Sequence, residues 1–411
     1  MKRFLIPFLI FSIVFFVYFS VATQYTFKPK WALDYFNQFA QSLLHFRLDL
    51  PQPQGTYDLA YYKGSWYLQW GFLPSLLLIP FQFLLGRFIP TIYINVCIAS
   101  INVVLFYLLL KRVKKEFLPN LSLFGILLFI VLFAFGTTHF YIGTLGGVWH
   151  VSQMTSFFLS LLALYIIFKK ERKPIDYIVS AILYSMSLIG RPTGFLLITL
   201  PIFLYLWEVF YKEDVWKQRF YFLKKACIIF GLPILIFGSI FLLYNYLRFN
   251  NIFEYGYSYL SDQASLIKQR GSISSVSNIP QNAWYMFFET PNLTFMNGFR
   301  LNFNLQGNSI FFLTPPLLAI FLASPIGKKG RDFFVNPYIT SLWFASIITT
   351  VPILMHFSSG WMQFGYRYSL DITPLLLLLS LFGIKGKINV LYLFGILFAV
   401  GMHLLGIHAL M

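Results

Sequence analysis

The first polar segment of the chain, residues 22–70, holds the side chains best suited to chemistry. Its three carboxylates are Asp34, Asp49 and Asp58, and they stand in a sequence that is otherwise mostly apolar. A carboxylate near a substrate can act as a general base that takes a proton from an attacking hydroxyl group. Asp49 is the weakest candidate because the neighbouring Arg47 can pair with it. Asp34 and Asp58 are both predicted as catalytic bases, and the sequence does not choose between them.

Three arginines in later polar segments complement these acids. Arg191 lies in a Gly-Arg-Pro-Thr-Gly turn between two apolar runs, Arg248 ends another apolar run, and Arg367 lies in a Tyr-Arg-Tyr motif. A guanidinium group can hold a phosphate through two parallel hydrogen bonds. We therefore expect Arg191, Arg248 and Arg367 to bind the phosphate of a donor substrate.

Ordinary structural roles compete with these assignments. Asp34 begins a helix-like run and can favour its N-terminus, while Asp58 stands among tyrosines where a cap or a turn explains it. Arg191 can extend to the lipid headgroups from a helix start. Arg367 and Asp371 are four residues apart, so on a helix they can form a local ion pair.

A further set of aromatic and polar side chains is predicted to contact substrate. Aromatic rings offer a broad apolar face with a polar edge, which suits stacking on a sugar ring, although aromatic residues at a membrane boundary commonly form an interface belt. No histidines stand at zinc-ligand spacing; one or two carboxylates with water molecules would leave no motif, so a divalent metal stays open as a cofactor. The predicted substrate-binding residues are Tyr62, Trp66, Tyr67, His150, Glu254, Trp361, Gln363, Tyr366 and Asp371.

Composition places these residues in a membrane protein. Hydrophobic residues make up 58% of the chain and charged residues 11%, against about 25% charged in a soluble domain. Many apolar runs are long enough to cross a hydrocarbon core of ~30 Å. The net charge of +17 would suggest nucleic acid in a soluble protein. Here basic residues are expected to orient helices instead, so the bilayer is the predicted partner and nucleic acid is not.

The basic clusters predict a topology. They hold 20 of the 31 lysines and arginines, and such clusters collect on the cytoplasmic side. The chain is thus predicted to be a single all-α polytopic membrane domain over residues 1–411, with its N-terminus cytoplasmic, in the plasma membrane of a prokaryote. About eleven crossing helices are predicted, at 4–21, 91–110, 118–136, 151–168, 175–190, 194–211, 226–247, 309–325, 338–356, 372–384 and 389–408.

Two long loops then face outward, 22–90 and 248–308. The apolar stretch 72–86 lies inside the first loop and contains Pro74 and Pro80, which weaken a regular helix. If this stretch crossed, every later basic cluster would move to the outside. It is therefore predicted to form an interfacial helix, and the outer face is predicted to be the active one.

Several motifs resemble those of the GT-C superfamily of membrane glycosyltransferases, such as protein O-mannosyltransferases and lipid A aminoarabinose transferases. The order of parts is similar: a signal anchor, an acidic first outer loop, interfacial helices and a helical bundle. The matching motifs are Ala40-Gln-Ser-Leu-Leu44 after an acid, Tyr62-Lys-Gly-Ser-Trp-Tyr67, the proline-marked run from Pro74, and the tail Trp361-x-Gln-Phe-Gly-Tyr-Arg-Tyr-x-x-Asp-x-x-Pro374.

The resemblance implies a fold and a reaction. Family members take a sugar from a polyprenyl-phosphate donor at the outer face, and an aspartate of the first loop acts as base. Asp34 matches that acid by its position after the first helix, and Asp58 is the competing candidate. The chain departs from the family pattern where a single Asp34 replaces an acidic pair and where Gly71-Phe-Leu-Pro74 replaces a Pro-Pro sequence.

The predicted function is therefore a membrane glycosyltransferase of hexosyl or pentosyl groups. The expected partners are a polyprenyl-phosphate sugar donor and an envelope acceptor, which can be a lipid, a glycan or a protein. A single base without a paired nucleophile favours displacement in one step with inversion. The alternative is a non-enzymatic transporter or flippase of lipid-linked sugar. Transport would favour paired, discontinuous helices at the midplane and weak internal symmetry, whereas here the charged candidate residues cluster at one face and the two halves of the chain do not visibly match.

Overall fold

The computed structural model describes residues 2–29, 33–212, 216–260, 262–294, 300–329, 332–360 and 362–410, and this part of the chain is mostly helical. The α-helices are α1 (Lys2–Ala22), α2 (Tyr35–Leu44), α3 (Leu73–Leu85), α4 (Thr91–Glu116), α5 (Leu123–Phe135), α6 (Thr138–Gly143), α7 (Val148–Ile167), α8 (Pro174–Ser187), α9 (Pro192–Phe195), α10 (Thr199–Lys212), α11 (Trp216–Phe249), α12 (Ala264–Gln269), α13 (Ile279–Ala283), α14 (Ile310–Leu313), α15 (Pro337–Met355), α16 (Thr373–Gly383) and α17 (Val390–Leu410). Short 3-10 helices cover Leu196–Ile198, Tyr257–Tyr259, Val276–Asn278, Pro315–Leu322 and Arg367–Ile372, and a π-helical turn covers Trp284–Phe288.

Sheet structure is confined to three small antiparallel hairpins in the described residues. The strands are β1 (Leu59–Tyr62) with β2 (Ser65–Leu68), β3 (Asn292–Thr294) with β4 (Arg300–Asn302), and β5 (Ile326–Lys329) with β6 (Asp332–Val335). In the first hairpin, Leu59 lies opposite Leu68 and Tyr62 lies opposite Ser65. The two positive-φ residues of its turn are Lys63 and Gly64, as expected for a two-residue hairpin loop.

Seven helices of the described chain are long and apolar enough to cross a membrane. Large apolar side chains on them are exposed, such as Phe4 at 80% and Leu391 at 80%, which is expected for surfaces that contact lipid. The chain is therefore an integral membrane protein. The seven segments are Phe4–Ala22, Thr91–Glu116, Val148–Ile167, Pro192–Tyr211, Lys217–Phe249, Pro337–Met355 and Val390–Leu410.

The predicted number of about eleven crossings is not confirmed. The other four predicted spans fold as shorter segments, of which α5 has 13 residues and α8 has 14. At 1.5 Å per residue, 14 helical residues cover about 21 Å, less than a ~30 Å hydrocarbon core. The remaining two are interrupted, because Pro315 and Pro316 follow α14 directly and a 3-10 helix precedes α16.

Of four buried clusters in the described residues, the two largest hold most of these elements together. The larger one includes Phe106, Phe133 and Leu377, which are all fully buried between α4, α5 and α16. The smaller one joins the first polar segment to α7 through residues such as Phe36 and Leu68. The first polar segment is therefore packed on the helices and does not hang free.

Helix α3 belongs to this packed segment. Its 13 residues correspond to about 20 Å, which is short of a full crossing. The hydroxyl of Ser75 donates to the carbonyl of Phe36 in α2 at 3.0 Å. Its outward side is apolar, with Phe83 at 78% and Leu84 at 76% exposure. An interfacial position for residues 72–86 stays a prediction, and the length and exposure of α3 favour it.

The long polar segments meet one another at one end of the helices. The backbone N–H of Ser275 donates to the carbonyl of Met355 at 2.9 Å. Gln306 and Gln363 form a parallel bridge, which connects the segment before α14 to the segment after α15. We call this the polar end, formed by the described residues within 33–90, 250–309 and 356–372.

Candidate functional site

Asp58 lies at the polar end in the turn that precedes β1, with a φ of +58°. This conformation is uncommon for non-glycine residues but tolerated by aspartate. The residue is buried, with 3% exposure. One carboxylate oxygen accepts a hydrogen bond from Trp149 Nε1 at 2.8 Å, and the other accepts from the side-chain amide of Gln263. Three segments thus converge on this carboxylate, because Trp149 belongs to α7 and Gln263 precedes α12.

The electrostatic environment of Asp58 raises the proton affinity of its carboxyl group. Burial raises the pKa of its carboxyl group, and the nearby charge of Asp262 raises it further. The hydrogen bonds from Trp149 and Gln263 and the positive charge of Arg367 lower the pKa but do not cancel the effect of burial. A carboxylate of this kind is a stronger base than an exposed aspartate once it is ionised.

Asp34 is placed in a different environment. It is the N-cap of α2, where its Oδ1 accepts from the backbone N–H of Asn37 at 3.3 Å. Its Oδ2 accepts from the Asn37 side chain at 2.8 Å and from the backbone N–H of Thr91 at 3.3 Å. One carboxylate therefore caps α2 and also binds the start of α4, which confirms the N-terminal role that the sequence offers for Asp34.

The contacts around Asp34 extend into a buried network. Gln82 of α3 donates to both the backbone and side-chain oxygens of Asn37 at 2.9 Å. Asn37 in turn donates to the carbonyl of Ile89 at 2.7 Å. Burial raises the pKa of Asp34, opposed by the hydrogen bonds from Asn37 and Thr91. The described contacts of Asp34 are thus structural ones, and no described contact connects it with Asp58.

The third acid of the loop, Asp49, forms a surface ion pair. Arg47 Nη2 lies 2.7 Å from Asp49 Oδ2, and the arginine side chain is 52% exposed. The hydrogen bond from Arg47 lowers the pKa of Asp49. This confirms the predicted pairing of Asp49 with Arg47.

Arg367 has a buried guanidinium group with few partners. The residue is 9% exposed, and its Nη2 approaches the hydroxyl of Tyr368 at 3.4 Å. Its Nε finds no hydrogen-bond partner, and its guanidinium forms no salt bridge, within the described part of the chain. A buried cation without a paired carboxylate is costly unless something else neutralises it. Arg367 is therefore suited to binding an anion.

Hydrogen bonds made by the Gln363 side chain fix the backbone around Arg367. The N–H of Arg367 donates to Gln363 Oε1 at 2.9 Å, and the Gln363 amide donates to the carbonyls of Gln306 and Ser359 at 2.8 and 2.7 Å. Gly360 has a φ of +99°, and a Cβ atom there would lie 2.7 Å from Arg367 Nε. A glycine is thus needed at position 360 both for its conformation and for the space of the guanidinium group.

Two guanidinium groups lie against the same tyrosine ring. The Cζ atoms of Arg191 and Arg367 are 4.6 and 5.1 Å from the ring centroid of Tyr368. Cation–π attraction can hold a guanidinium over an aromatic face. Tyr368 therefore brings together two of the three predicted phosphate-binding arginines, although they are 176 positions apart in the sequence.

The local ion pair that four-residue spacing would allow between Arg367 and Asp371 on a helix is not formed. Asp371 Oδ2 instead lies 3.5 Å from Arg191 Nε and accepts a hydrogen bond from Thr193 at 2.6 Å. Gln153 donates to the other carboxylate oxygen at 3.2 Å. The reason is the 3-10 geometry of residues Arg367–Ile372, because residues four apart do not share a face in a helix with three residues per turn.

Arg248 is bonded within the protein. Its guanidinium donates to the carbonyl of Leu68, to Asn245 Oδ1 at 2.8 Å and to the carbonyl of Tyr244 at 3.3 Å. It also stacks on the ring of Tyr244 at 3.7 Å. These contacts join the end of α11 to β2, and they leave Arg248 less suited than Arg367 to receive a phosphate.

The predicted substrate-binding aromatics of the first hairpin form a packed group. Tyr62 and Tyr67 have ring centroids 5.8 and 5.5 Å from that of Phe249. Trp66 packs on Tyr61 at 4.7 Å on the hairpin itself. Glu254 accepts from the backbone N–H of Gly256 at 2.6 Å, so it stabilises the turn after α11. These contacts do not include Asp58 or Arg367.

The remaining predicted residues lie nearer to Arg367. His150 is 7% exposed, and both of its ring nitrogens are buried without a described partner. The hydroxyl of Tyr366 is likewise without a described partner, and its ring is 6.0 Å from that of Tyr368. Trp361 lies outside the described residues.

Several residues of this region were not predicted from the sequence. They include Trp149, Gln263 and Tyr368. They also include Tyr257, whose pKa is influenced by the charges of Asp58, Arg191 and Arg367. Neither spacing nor residue type distinguishes them from the many other aromatic residues of the chain. We call the group Asp58, Trp149, Arg191, Tyr257, Arg367, Tyr368 and Asp371 the Asp58–Arg367 cluster.

His356 lies at the edge of the Asp58–Arg367 cluster. Its ring centroid is 5.8 Å from that of Tyr368. Burial, with a smaller contribution from the charges of Arg191 and Arg367, lowers the pKa of His356 to about 4. The imidazole is therefore neutral at pH 7, and it adds no further positive charge.

The Asp58–Arg367 cluster combines the buried carboxylates of Asp58 and Asp371 with the guanidinium groups of Arg191 and Arg367, and Arg191 pairs with Asp371. No group of three His, Cys, Asp or Glu side chains in the described ranges is arranged to hold a metal ion. A cavity of about 190 Å³ lies at the opposite end of the helices, away from the cluster. Comparison with protein-family models, with curated proteins and with solved structures finds no match for this chain.

Proposed function

We propose that this protein is a membrane glycosyltransferase that moves a sugar from a polyprenyl-phosphate donor to an acceptor of the cell envelope. One observation carries the proposal. The guanidinium of Arg367 is buried without a described carboxylate partner, within electrostatic range of the buried carboxylate of Asp58. A donor phosphate would neutralise the Arg367 guanidinium, while the Asp58 carboxylate would take the proton of the acceptor hydroxyl.

Arg367 and Arg191 have the chemistry needed for the leaving group. When the bond between the anomeric carbon and the phosphate oxygen breaks, negative charge develops on that oxygen. Two guanidinium groups fixed on Tyr368 would stabilise this charge without rearrangement, which is the largest contribution in many enzymes. Arg191 has 18% side-chain exposure, so it can reach a phosphate that enters from the bilayer boundary.

Asp58 is the base that the geometry favours over Asp34. The acceptor hydroxyl would lose its proton to Asp58 while its oxygen attacks the anomeric carbon. A single displacement of this kind inverts the configuration at that carbon. The contacts of Asp34 with α2 and α4 explain its burial without any role in the reaction.

The proposal also assigns the polar end to one side of the membrane. The polar end would face outward, with the N-terminus cytoplasmic and the basic turns inside, in the plasma membrane of a prokaryote. The acceptor would be an envelope lipid, glycan or protein. The proposal allows a divalent metal to assist phosphate binding, because carboxylates and water alone can hold one.

The test is a transfer assay with purified protein. Radiolabelled polyprenyl-phosphate sugars are incubated with the protein and with membrane acceptors, and release of polyprenyl phosphate is measured. We expect turnover with one donor, and we expect Arg367→Gln to reduce it by two orders of magnitude or more, on the order of the ~10²–10³ lost with an oxyanion-hole donor.

The matched control is Arg47→Gln, which removes an exposed arginine of the first polar segment and should leave turnover unchanged. Sugar release that is equal in wild type and Arg367→Gln would contradict the assigned role of Arg367. No sugar release with any donor, with lipid-linked sugar still bound or transported, would favour the transporter or flippase instead.

A further inference from the structure

The cavity of about 190 Å³ lies where α8, α10 and α11 meet, at the end of the helices that carries the basic turns. Tyr177 lines it from α8, Tyr205 and Glu208 from α10, and Phe222 and Lys225 from α11. Small-molecule sites in proteins usually have about 300–1,000 Å³. This cavity is smaller and suits a headgroup more than a whole ligand.

The polar lining of the cavity is only partly neutralised. Arg172 has 3% side-chain exposure and pairs with Glu208. Its Nε also donates to the hydroxyl of Tyr177 at 2.8 Å, and its Cζ lies 5.3 Å from the ring centroid of Tyr338. These contacts thus hold the Arg172 guanidinium and the Glu208 carboxylate in place. Lys225 is different, since its ammonium has no ion pair among the described residues.

An apolar surface continues from Lys225 toward the other end of α11. Ile228, Leu232 and Leu235 follow Lys225 by three, seven and ten positions, so they share one face of the helix. Their exposures are 66%, 54% and 67%. The cavity, with a lysine that has no ion pair among the described residues, therefore lies next to an exposed apolar stripe of α11.

We propose that this cavity binds the phosphodiester headgroup of an anionic glycerophospholipid, with the acyl chains along the exposed stripe of α11. Among the described lining residues, Arg172 and Lys225 against the one carboxylate of Glu208 leave one net positive charge, which matches one phosphodiester. Basic pockets between transmembrane helices are a recurrent form of lipid recognition. The proposal uses only the membrane nature of the chain and does not depend on the proposed transferase activity.

The test measures lipid binding to the purified full-length protein by native mass spectrometry. The probes are phosphatidylglycerol, phosphatidylcholine with the same acyl chains, and glycerophosphoglycerol, which is the headgroup without chains. We expect tight retention of phosphatidylglycerol alone. Lys225→Gln should weaken its binding about fivefold, the loss expected for one lysine near an anionic lipid, and Lys225→Arg should retain it.

Lys224→Gln is the matched control, because Lys224 is adjacent and carries the same charge but does not line the cavity. The affinity of Lys224→Gln for phosphatidylglycerol should equal that of wild type. Equal weakening in Lys224→Gln and Lys225→Gln would overturn the site and assign the binding to general surface charge. Equal retention of phosphatidylcholine would overturn the anionic specificity. Binding of glycerophosphoglycerol as tight as that of the lipid would assign a free phosphodiester instead.

Discussion

At the residue scale, two buried aspartates of one segment lie in different environments. Asp34 receives its three hydrogen bonds from the starts of α2 and α4, whereas Asp58 receives its hydrogen bonds from Trp149 and Gln263 beside the arginines. The sequence identifies both as candidates, because residue type and approximate position suffice for that. It cannot distinguish them, because the partners that decide the matter come from distant parts of the chain.

Asp34→Ala should destabilise the fold without removing a catalytic group. Loss of an N-cap costs about 0.5–2 kcal/mol, and the buried amide of Asn37 would lose an acceptor. We expect a lower thermal unfolding midpoint in detergent, measured by intrinsic fluorescence. Asp34→Asn, which can still cap a helix, should recover most of that loss. A midpoint unchanged in Asp34→Ala would contradict the capping role.

Gln263→Leu should shift the pH dependence of turnover. Asp58 must be ionised to accept a proton, so activity rises with pH through its pKa, which burial raises. The hydrogen bond from Gln263 lowers that pKa, so removing it should raise the pKa again and move the acid limb of kcat/KM to higher pH. Gln281→Leu, in an exposed amide that bonds Arg270 instead, should leave the limb in place. Equal profiles for Gln263→Leu and wild type would contradict Asp58 as the base.

At the element scale, the segment from Gly360 to Asp371 shows where sequence reasoning succeeds and fails. The sequence predicts Arg367 as phosphate-binding and Gln363, Tyr366 and Asp371 as substrate-binding; all four side chains are buried, and their binding roles stay predictions. The pairing within the segment is not predicted correctly, because four-residue spacing implies a contact only in an α-helix. The segment is a 3-10 helix after a loop, and only the packing against α7 and α9 shows that Asp371 pairs with Arg191.

Gly360→Ala should displace Arg367. The new Cβ would lie 2.7 Å from Arg367 Nε, in a backbone conformation with a φ of +99°. We expect a loss of about 1–2 kcal/mol of stability and a higher KM for the donor, because the guanidinium that we propose to bind the phosphate moves. Gly64→Ala is the control, since its φ is +85° and no atom lies within 4 Å. The same KM in both variants would show that position 360 acts only through backbone strain.

At the scale of the whole molecule, composition alone predicts a helical integral membrane protein. The number of crossings is less accessible, because proline and glycine divide apolar runs into shorter helices such as α5, α8 and α16. The convergence of residues 33–90, 250–309 and 356–372 at one end is the decisive feature. Charge distribution predicts that these loops share a side of the membrane, but it does not predict which side chains touch.

The proposed orientation can be tested by labelling single cysteines in whole cells. The background is Cys97→Ala with Cys227→Ala, which removes both cysteines of the chain. A membrane-impermeant maleimide should label Lys63→Cys, in the exposed turn of the first hairpin, and should not label Lys385→Cys unless the membrane is opened. Labelling of Lys385→Cys in intact cells would place the basic turns outside.

The most direct test of the whole account is the rate of sugar transfer by Asp58→Asn and Asp34→Asn, measured with the donor that wild type accepts. A general base contributes about 10²–10⁴-fold, so Asp58→Asn should lose that factor in kcat while it still binds the donor. Asp34→Asn should retain turnover near that of wild type. Full activity in Asp58→Asn, or loss of activity in Asp34→Asn with an unchanged unfolding midpoint, would contradict the account.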